Sequence, residues 1–213
     1  MNRLPNADMR LETPSLIFIA STPEYARLAI VDPLALGRLL ECEGWEEWPP
    51  ETLADVQQFF ADQLAARPDQ VGWWGWYVCA KPGILGTKAV VVGSAGACPP
   101  GAIGGLGELA MMGYSTLPKY EGRGFATQAA RAIADWALAQ PGIDGSQPGI
   151  NQLFAETFTD HHASRHILER AGFVLQGVSP NDSTAAESDR QGRGPLLRYR
   201  RDRVEVQRGC SGG

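Results

Sequence analysis

The chain has 213 residues, 44% of them hydrophobic and 20% charged, with 25 Gly and 15 Pro, a composition too apolar and too lightly charged for a disordered chain. That length removes roughly 70% of the unfolded surface from water, so one domain over 1–213 needs neither disulfide nor metal staples. A formal net charge of −5 excludes a general nucleic-acid binder, which needs a basic face for phosphates, and mildly favours cationic substrates.

The opening stretch MNRLPNADMRLETP (1–14) is a polar leader, and the apolar SLIFIA that follows is too short for a signal h-region or a membrane span. SLIFIA and EYARLAIVD read as two short strands around STP, the second with an ambiguous pattern. In DPLALGRLLE, Asp32 is a cap and Pro33 the first helical residue, so a short helix is expected despite Gly37. WEEWPP reads as a loop. In TLADVQQFFADQLAARP, Thr52 and Asp55 resemble a capping box, and Leu53, Val56, Phe60 and Leu64 recur at helical spacing until Pro68.

GWWGWYVCAK and TKAVVVGSAG are rich in aromatic and β-branched residues and read as adjacent strands turned by Pro82 and Gly83. ELAMMGYSTL alternates as a further strand that Pro118 ends. FATQAARAIADWALAQ places Ala126, Ala129, Ala130, Ile133, Trp136 and Ala137 on one face of an amphipathic helix closed by Pro141 and Gly142. LFAETF is a strand, HASRHILERAGF a helix closed by Gly172, and FVLQGV a strand. A polar loop (179–194), a last strand PLLRYRRDRVEV and a tail (207–213) complete the chain. Cys42, Cys79, Cys98 and Cys210 show no CxxC and no metal-ligand spacing, the usage of free thiols in a reducing, cytoplasmic protein.

The chemistry is concentrated in STLPKYEGRGFATQAARAIADWAL, a strand followed by a glycine-spaced turn that opens into a helix. Gly122 and Gly124 let the backbone approach a ligand. The amides at about Arg123 to Thr127 have no intrahelical acceptors and lie at the positive end of the helix dipole, which suits a diphosphate. No GK[ST] follows, so this is not a P-loop. GLGELA lies in the wrong context for a dinucleotide fold, being preceded by prolines and followed by a strand. RYRRDR reads as a solvated strand edge. His161, His162 and His166 lack a placed third partner for a metal. Trp73, Trp74, Trp76 and Tyr77 belong to the core or floor an acceptor pocket.

EGRGFA, together with ETFTDHHASRHILERAGF at the expected distance, resembles the acyl-CoA site of the GNAT superfamily of N-acetyltransferases, in the branch that includes ribosomal-protein N-terminal acetyltransferases. The resemblance covers roughly 70 to 200. It implies an α/β fold, a mixed and largely antiparallel sheet with helices on both faces, and transfer of an acetyl group from acetyl-CoA to a primary amine by direct attack. The acceptor is left open between a protein N-terminus and a small-molecule amine, and no metal, nucleic acid or membrane is implied.

Carried onto this sequence, the cofactor residues are Ser115, Thr116, Leu117, Glu121, Gly122, Arg123, Gly124, Phe125, Ala126, Thr127, His161 and Ser164. Glu121 stands where the family usually has Gln or Arg, and His161 where it usually has Asn. Leu168 occupies the position of a tyrosine thought to protonate the leaving thiolate. ELAMMGYSTL is expected to splay from its neighbour and expose amides to the pantetheine arm, where one fixed donor is worth roughly 3 kcal/mol in the transition state. Glu108 or Glu156 is the candidate base, or either orients substrate or serves structure. Ser164 bonds the CoA sulfur or starts its helix. A terminal strand often completes a dimer in this superfamily, so a homodimer is implied. The alternative from another class is a catalytically inactive acyl-CoA sensor or interaction module.

Overall fold

In the computed structural model, residues 9–102, 109–141, 149–180 and 194–204 are described. The first pair of strands, β1 (Arg10–Glu12) and β2 (Leu16–Ala20), includes one that lies inside the supposed leader. EYARLAIVD is not a strand but helix α1 (Pro23–Val31), because the Thr22 side chain accepts from the Tyr25 amide and Pro23 starts the first turn. Helix α2 (Pro33–Leu40) follows, with Asp32 accepting from the Ala35 amide at 2.9 Å as its cap chemistry predicts. The two-residue β3 (Cys42–Glu43) and a 3₁₀ turn (Trp45–Glu47) replace the expected loop.

The next helix is broken into α3 (Glu51–Ala54) and α4 (Gln57–Ala66). No capping box forms, because the Thr52 hydroxyl donates to Ser115 Oγ at 2.7 Å instead of turning to its own backbone. Strands β4 (Trp76–Ala80), β5 (Ala89–Cys98) and β6 (Ala110–Thr116) are followed by α5 (Phe125–Ala139). Then come β7 (Gln152–Phe158), α6 (His162–Arg170), β8 (Val174–Val178) and β9 (Leu196–Asp202), all as the sequence pattern predicts.

The strands form one sheet in the order β1-β2-β4-β5-β6-β7-β9-β8, with β3 alongside β5. It is antiparallel except for β3 with β5 and β6 with β7. β6 and β7 pair only at Ala110 with Leu153 and Met111 with Phe154. Beyond those two pairs the strands part, so the middle of the sheet opens into a V.

Each face of the sheet has its own core. On one face α5 buries Ala129, Ala130, Ile133, Ala134 and Ala137 together with Trp74, Trp76 and Leu168. Burying a side chain such as Ile133 stabilises the fold by roughly 1.5–3 kcal/mol. On the other face Ala29, Leu36 and Leu40 of α1 and α2 pack with Trp45, Trp48, Tyr77 and Val91. Strand β9 is not the sheet edge expected of RYRRDR, since it lies between β7 and β8. Its arginines have partners within the chain: Arg198 pairs with Glu156, Arg200 with Asp202 and Arg201 with Asp135, and just past its end Arg203 donates to the Ile150 and Gln140 carbonyls.

Candidate functional site

The V begins where the alternation of an antiparallel ladder dictates which groups face it. The Leu117 amide donates to the Val92 carbonyl at 2.8 Å. By the same alternation the backbones of Gly113 and Ser115 serve β5, and those of Met112, Tyr114 and Thr116 point to the opposite side. On that side β7 has turned away, so among the described residues these groups have no strand to pair with. Of the three strand residues marked from sequence, only Thr116 offers its main chain to the opening. Ser115 contributes its hydroxyl to a cavity described below, and Leu117 is buried in the core. Met112 and Tyr114 went unnoticed, although the period of two along ELAMMGYSTL carries that information.

At the end of β6 a 3₁₀ turn (Pro118–Tyr120) leads through Glu121 and Arg123, both exposed, to α5. Gly122 has φ +72° and Gly124 φ +77°, and a Cβ built on either would meet no atom within 4 Å. The left-handed backbone, not crowding by the protein, is what requires glycine here. Gly124 caps α5 with its carbonyl, which accepts from the Gln128 amide at 3.2 Å, and no side chain caps the helix or adds an acid to its first turn. The amides of Phe125, Ala126 and Thr127 thus keep the free, positively polarised character that suits an anion. A diphosphate at this turn, with an amide-bearing arm running along the open side of β6, fits the residues present.

Across the V, Ser164 on the first turn of α6 is buried, and its Oγ lies 2.9 Å from Tyr114 Oη. The phenol also donates to the Ser164 carbonyl at 3.1 Å, so the pair bridges β6 to α6. Burial pushes the Tyr114 phenol up to about 12, against the opposing pull of the Ser164 hydrogen bond. His161, at the N-cap of α6, is exposed, with Nδ1 3.4 Å from Thr157 Oγ1. Leu168 is buried in the core. Glu156 is held by Arg198, with its Oε1 2.8 Å from one guanidinium nitrogen and 2.9 Å from Nε, and also accepts from the Ser179 hydroxyl. Glu108 lies outside the described residues.

A cavity of about 360 Å³ is lined by α1, α3, α4 and strands β4 to β6. Tyr114 and Ser115 of β6 line it together with Trp48, Phe60, Trp74 and Trp76. Trp74, Trp76 and Tyr77 thus serve both core and cavity, each being buried and in the lining, whereas Trp73 is buried against Trp136 and does not line the cavity. Trp48, Gln57 and Phe60 were not singled out as site residues, because segments distant in sequence make the cavity together. Among the described residues no group of three or more His, Cys, Asp or Glu is placed to hold a metal, and no helix is long and apolar enough to cross a membrane.

The fold recurs in known proteins. The ribosomal-protein-S5-alanine acetyltransferase from Vibrio fischeri is 13% identical over 93% of this chain and 98% of its own, with a TM-score of 0.56. RimL, a ribosomal alpha-N-protein acetyltransferase solved with coenzyme A, is 15% identical over 91% and 98%, with a TM-score of 0.55. The microcin C7 self immunity acetyltransferase MccE, solved with acetyl-CoA and AMP, is 16% identical over 89% and 93%, with a TM-score of 0.51. No curated protein matches the chain. A family model described as an acetyltransferase (GNAT) domain matches residues 18–174, well over half of the sequence. The chain belongs to the GNAT acetyltransferase family.

Proposed function

We propose that the chain is one catalytic domain that transfers the acetyl group of acetyl-CoA to a primary amine by direct attack. The observation that carries this reading is the parting of β6 from β7 immediately before a glycine turn and an uncapped helix start. Acetyl-CoA supplies the acetyl group as a thioester. Gly122, Gly124 and the amides of Phe125, Ala126 and Thr127 hold the diphosphate, and the open main chain of Met112, Tyr114 and Thr116 receives the arm. A fixed amide at the thioester carbonyl is worth roughly 3 kcal/mol in the transition state, and alignment of the two reactants contributes more, on the order of 7–11 kcal/mol.

Ser164 hydrogen-bonds the departing thiolate sulfur, with Tyr114 positioning its hydroxyl across the V, and the proton that the attacking amine sheds is the one that neutralises the thiolate. Leu168 leaves no phenol at the family's usual place. The engagement of Glu156 with Arg198 supports a structural role over that of base, and Glu108 remains the second carboxylate for that task. An amine of pKa near 7.7–8.0 is roughly a tenth neutral at pH 7 and places little demand on any base.

The test is release of CoA thiol from acetyl-CoA across a panel of primary amines. Acceleration by at least one amine supports the reading. Tight acetyl-CoA binding with no turnover on any amine replaces it with the second reading, a catalytically inactive acyl-CoA-binding sensor, which the buried Leu168 and the paired Glu156 favour.

A further inference from the structure

Gly113 stands exposed in the middle of β6, a position where glycine weakens a strand and commonly marks a bulge, a bend or the close approach of another molecule. Its backbone lies outside the left-handed region that favours glycine. The ladder between β5 and β6 runs through it without a register shift and pairs it with Gly96, so it marks no bulge. Crowding accounts for Gly96, whose Cβ would meet the Trp74 carbonyl and the Gly75 backbone at 3.0 to 3.2 Å, whereas a Cβ on Gly113 would meet no atom within 4 Å. Close approach by a ligand is the reason left for Gly113.

Its place along the strand says which part of a ligand arrives there. With the diphosphate at the turn through Gly122 and Gly124, the arm follows the open main chain of Thr116, Tyr114 and Met112 in that order, toward the closed end of the V at Met111 and Phe154. At the rise of a strand, Thr116 and Met112 are about 13 Å apart, and the reacting end of the arm comes to lie beside Gly113. Met111, Met112, Gly113 and Tyr114 also line the cavity of about 360 Å³, so the end of the arm and the cavity share this stretch of β6. Among the described residues the cavity lining includes no Asp, Glu, Lys, Arg or His. A charged group brought there loses its hydration without a counter-charge to replace it, whereas a hydrocarbon chain gains roughly fourfold in affinity for each methylene buried. The volume corresponds to about a dozen waters of liquid, room for a chain of about six carbons.

We infer that the site takes acyl-CoA donors with a neutral chain of about six carbons as well as acetyl-CoA, the longer chain lying on Gly113 in the cavity. The inference rests on the acetyl-transfer reading for the course of the arm. The reaction is the same in kind. The nitrogen of a neutral amine forms a bond to the thioester carbon, the carbon–sulfur bond breaks with its electron pair on sulfur, and the proton that the amine sheds goes to that thiolate, leaving an amide and CoA thiol. Gly113 sets the range of donors, since a side chain there would stand where the acyl chain lies.

Binding is measured calorimetrically with the full-length protein against acetyl-CoA, hexanoyl-CoA and succinyl-CoA, with no amine present. Hexanoyl-CoA is expected to bind about thirtyfold or more tightly than acetyl-CoA, the gain from burying most of its added methylenes. Succinyl-CoA, whose chain ends in a carboxylate, is expected to bind no more tightly than acetyl-CoA. Gly113→Val, whose branched side chain suits a strand and enters open space, reduces the advantage of hexanoyl over acetyl by about tenfold or more, and Gly113→Ala reduces it less. Hexanoyl-CoA binding no tighter than acetyl-CoA overturns the inference, as does tighter binding of succinyl-CoA or an advantage that folded Gly113→Val keeps in full. Thiol release from each donor with the amine panel keeps the two ideas apart. A hexanoyl advantage in binding without turnover on any amine upholds the chain site and refutes the enzyme, and turnover of acetyl-CoA without that advantage does the reverse.

Discussion

Replacing Gly124 tests the placement of the diphosphate with the fewest confounding effects. The residue has φ +77° and caps α5, and a Cβ there would meet nothing within 4 Å. A larger side chain therefore incurs backbone strain and no clash with the protein, a loss of about 1–2 kcal/mol for an L-residue held left-handed. For a chain of this size that lowers Tm by roughly 2–8 °C, well within a stability of roughly 5–15 kcal/mol. CoA affinity should respond far more. Gly124→Val, whose branched side chain resists this conformation, tilts the first amides of α5 and fills the space before them, and calorimetry should show a loss beyond a hundredfold, about 2.7 kcal/mol. Gly177→Ala is the matched control. It has φ +117° with equally open surroundings but lies on β8, the outermost strand, so it should lose stability and keep CoA. Unchanged CoA affinity in Gly124→Val, measured on protein shown to be folded, would refute the anion site at this turn.

Glu121→Gln should leave CoA affinity equal or raise it, because an exposed carboxylate near a diphosphate only repels; calorimetry showing a loss beyond tenfold would give Glu121 a supporting role. Ser164→Ala should lower kcat by roughly 10- to 100-fold with the KM for acetyl-CoA unchanged, the signature of a hydrogen bond made to the departing thiolate; a change confined to KM assigns Ser164 to binding. Glu156→Gln disturbs a largely buried ion pair with Arg198 and should cost on the order of 3 kcal/mol, seen as a lower Tm with kcat/KM per folded molecule retained. A 10²- to 10⁴-fold fall in kcat/KM at constant Tm makes it the base instead. Burial raises the Cys98 thiol from 9.0 to about 12, so the folded state retains a proton that the unfolded chain releases. The stability it contributes is whole below pH 9 and is lost as pH rises to about 12; Tm followed over that window should fall less steeply in Cys98→Ala.

Elements whose signals are local were legible from the sequence. Asp32 and Pro33 announced α2, and the glycine turn with the apolar face from Ala129 to Ala137 announced α5. EYARLAIVD was misjudged because its apolar residues suit a strand as well as a helix, and the deciding feature lay just upstream, in the Thr22–Tyr25 cap and Pro23. The capping box is missing because Thr52 has a partner 63 residues away, bonding Ser115 instead of its own backbone. Similarly, β9 became an interior strand because β8, which precedes it in sequence, folds to its outer side. The turn through Gly122 and Gly124 is one continuous segment, so its left-handed backbone is legible directly from the glycines. Tyr114 reaching Ser164, Arg198 holding Glu156, and the tryptophan cavity each join residues far apart in the chain, and no single-sequence pattern encodes such meetings.

The two ladder pairs between β6 and β7 also bear on how the molecule assembles. Strands β1, β2, β4, β5 and β6 zip through antiparallel neighbours on one side, and β7, β8 and β9 do the same on the other, so each half of the sheet can form without the other. Joining them is left to α5, which packs on β5, β6, β7 and α6, to the Tyr114–Ser164 bridge, and to a seam with little backbone hydrogen bonding of its own. Such a chain has a natural late step in folding, the docking of two preformed halves around one helix. A ligand lodged in the seam would act on that step above all, slowing separation of the halves more than it changes the interior of either.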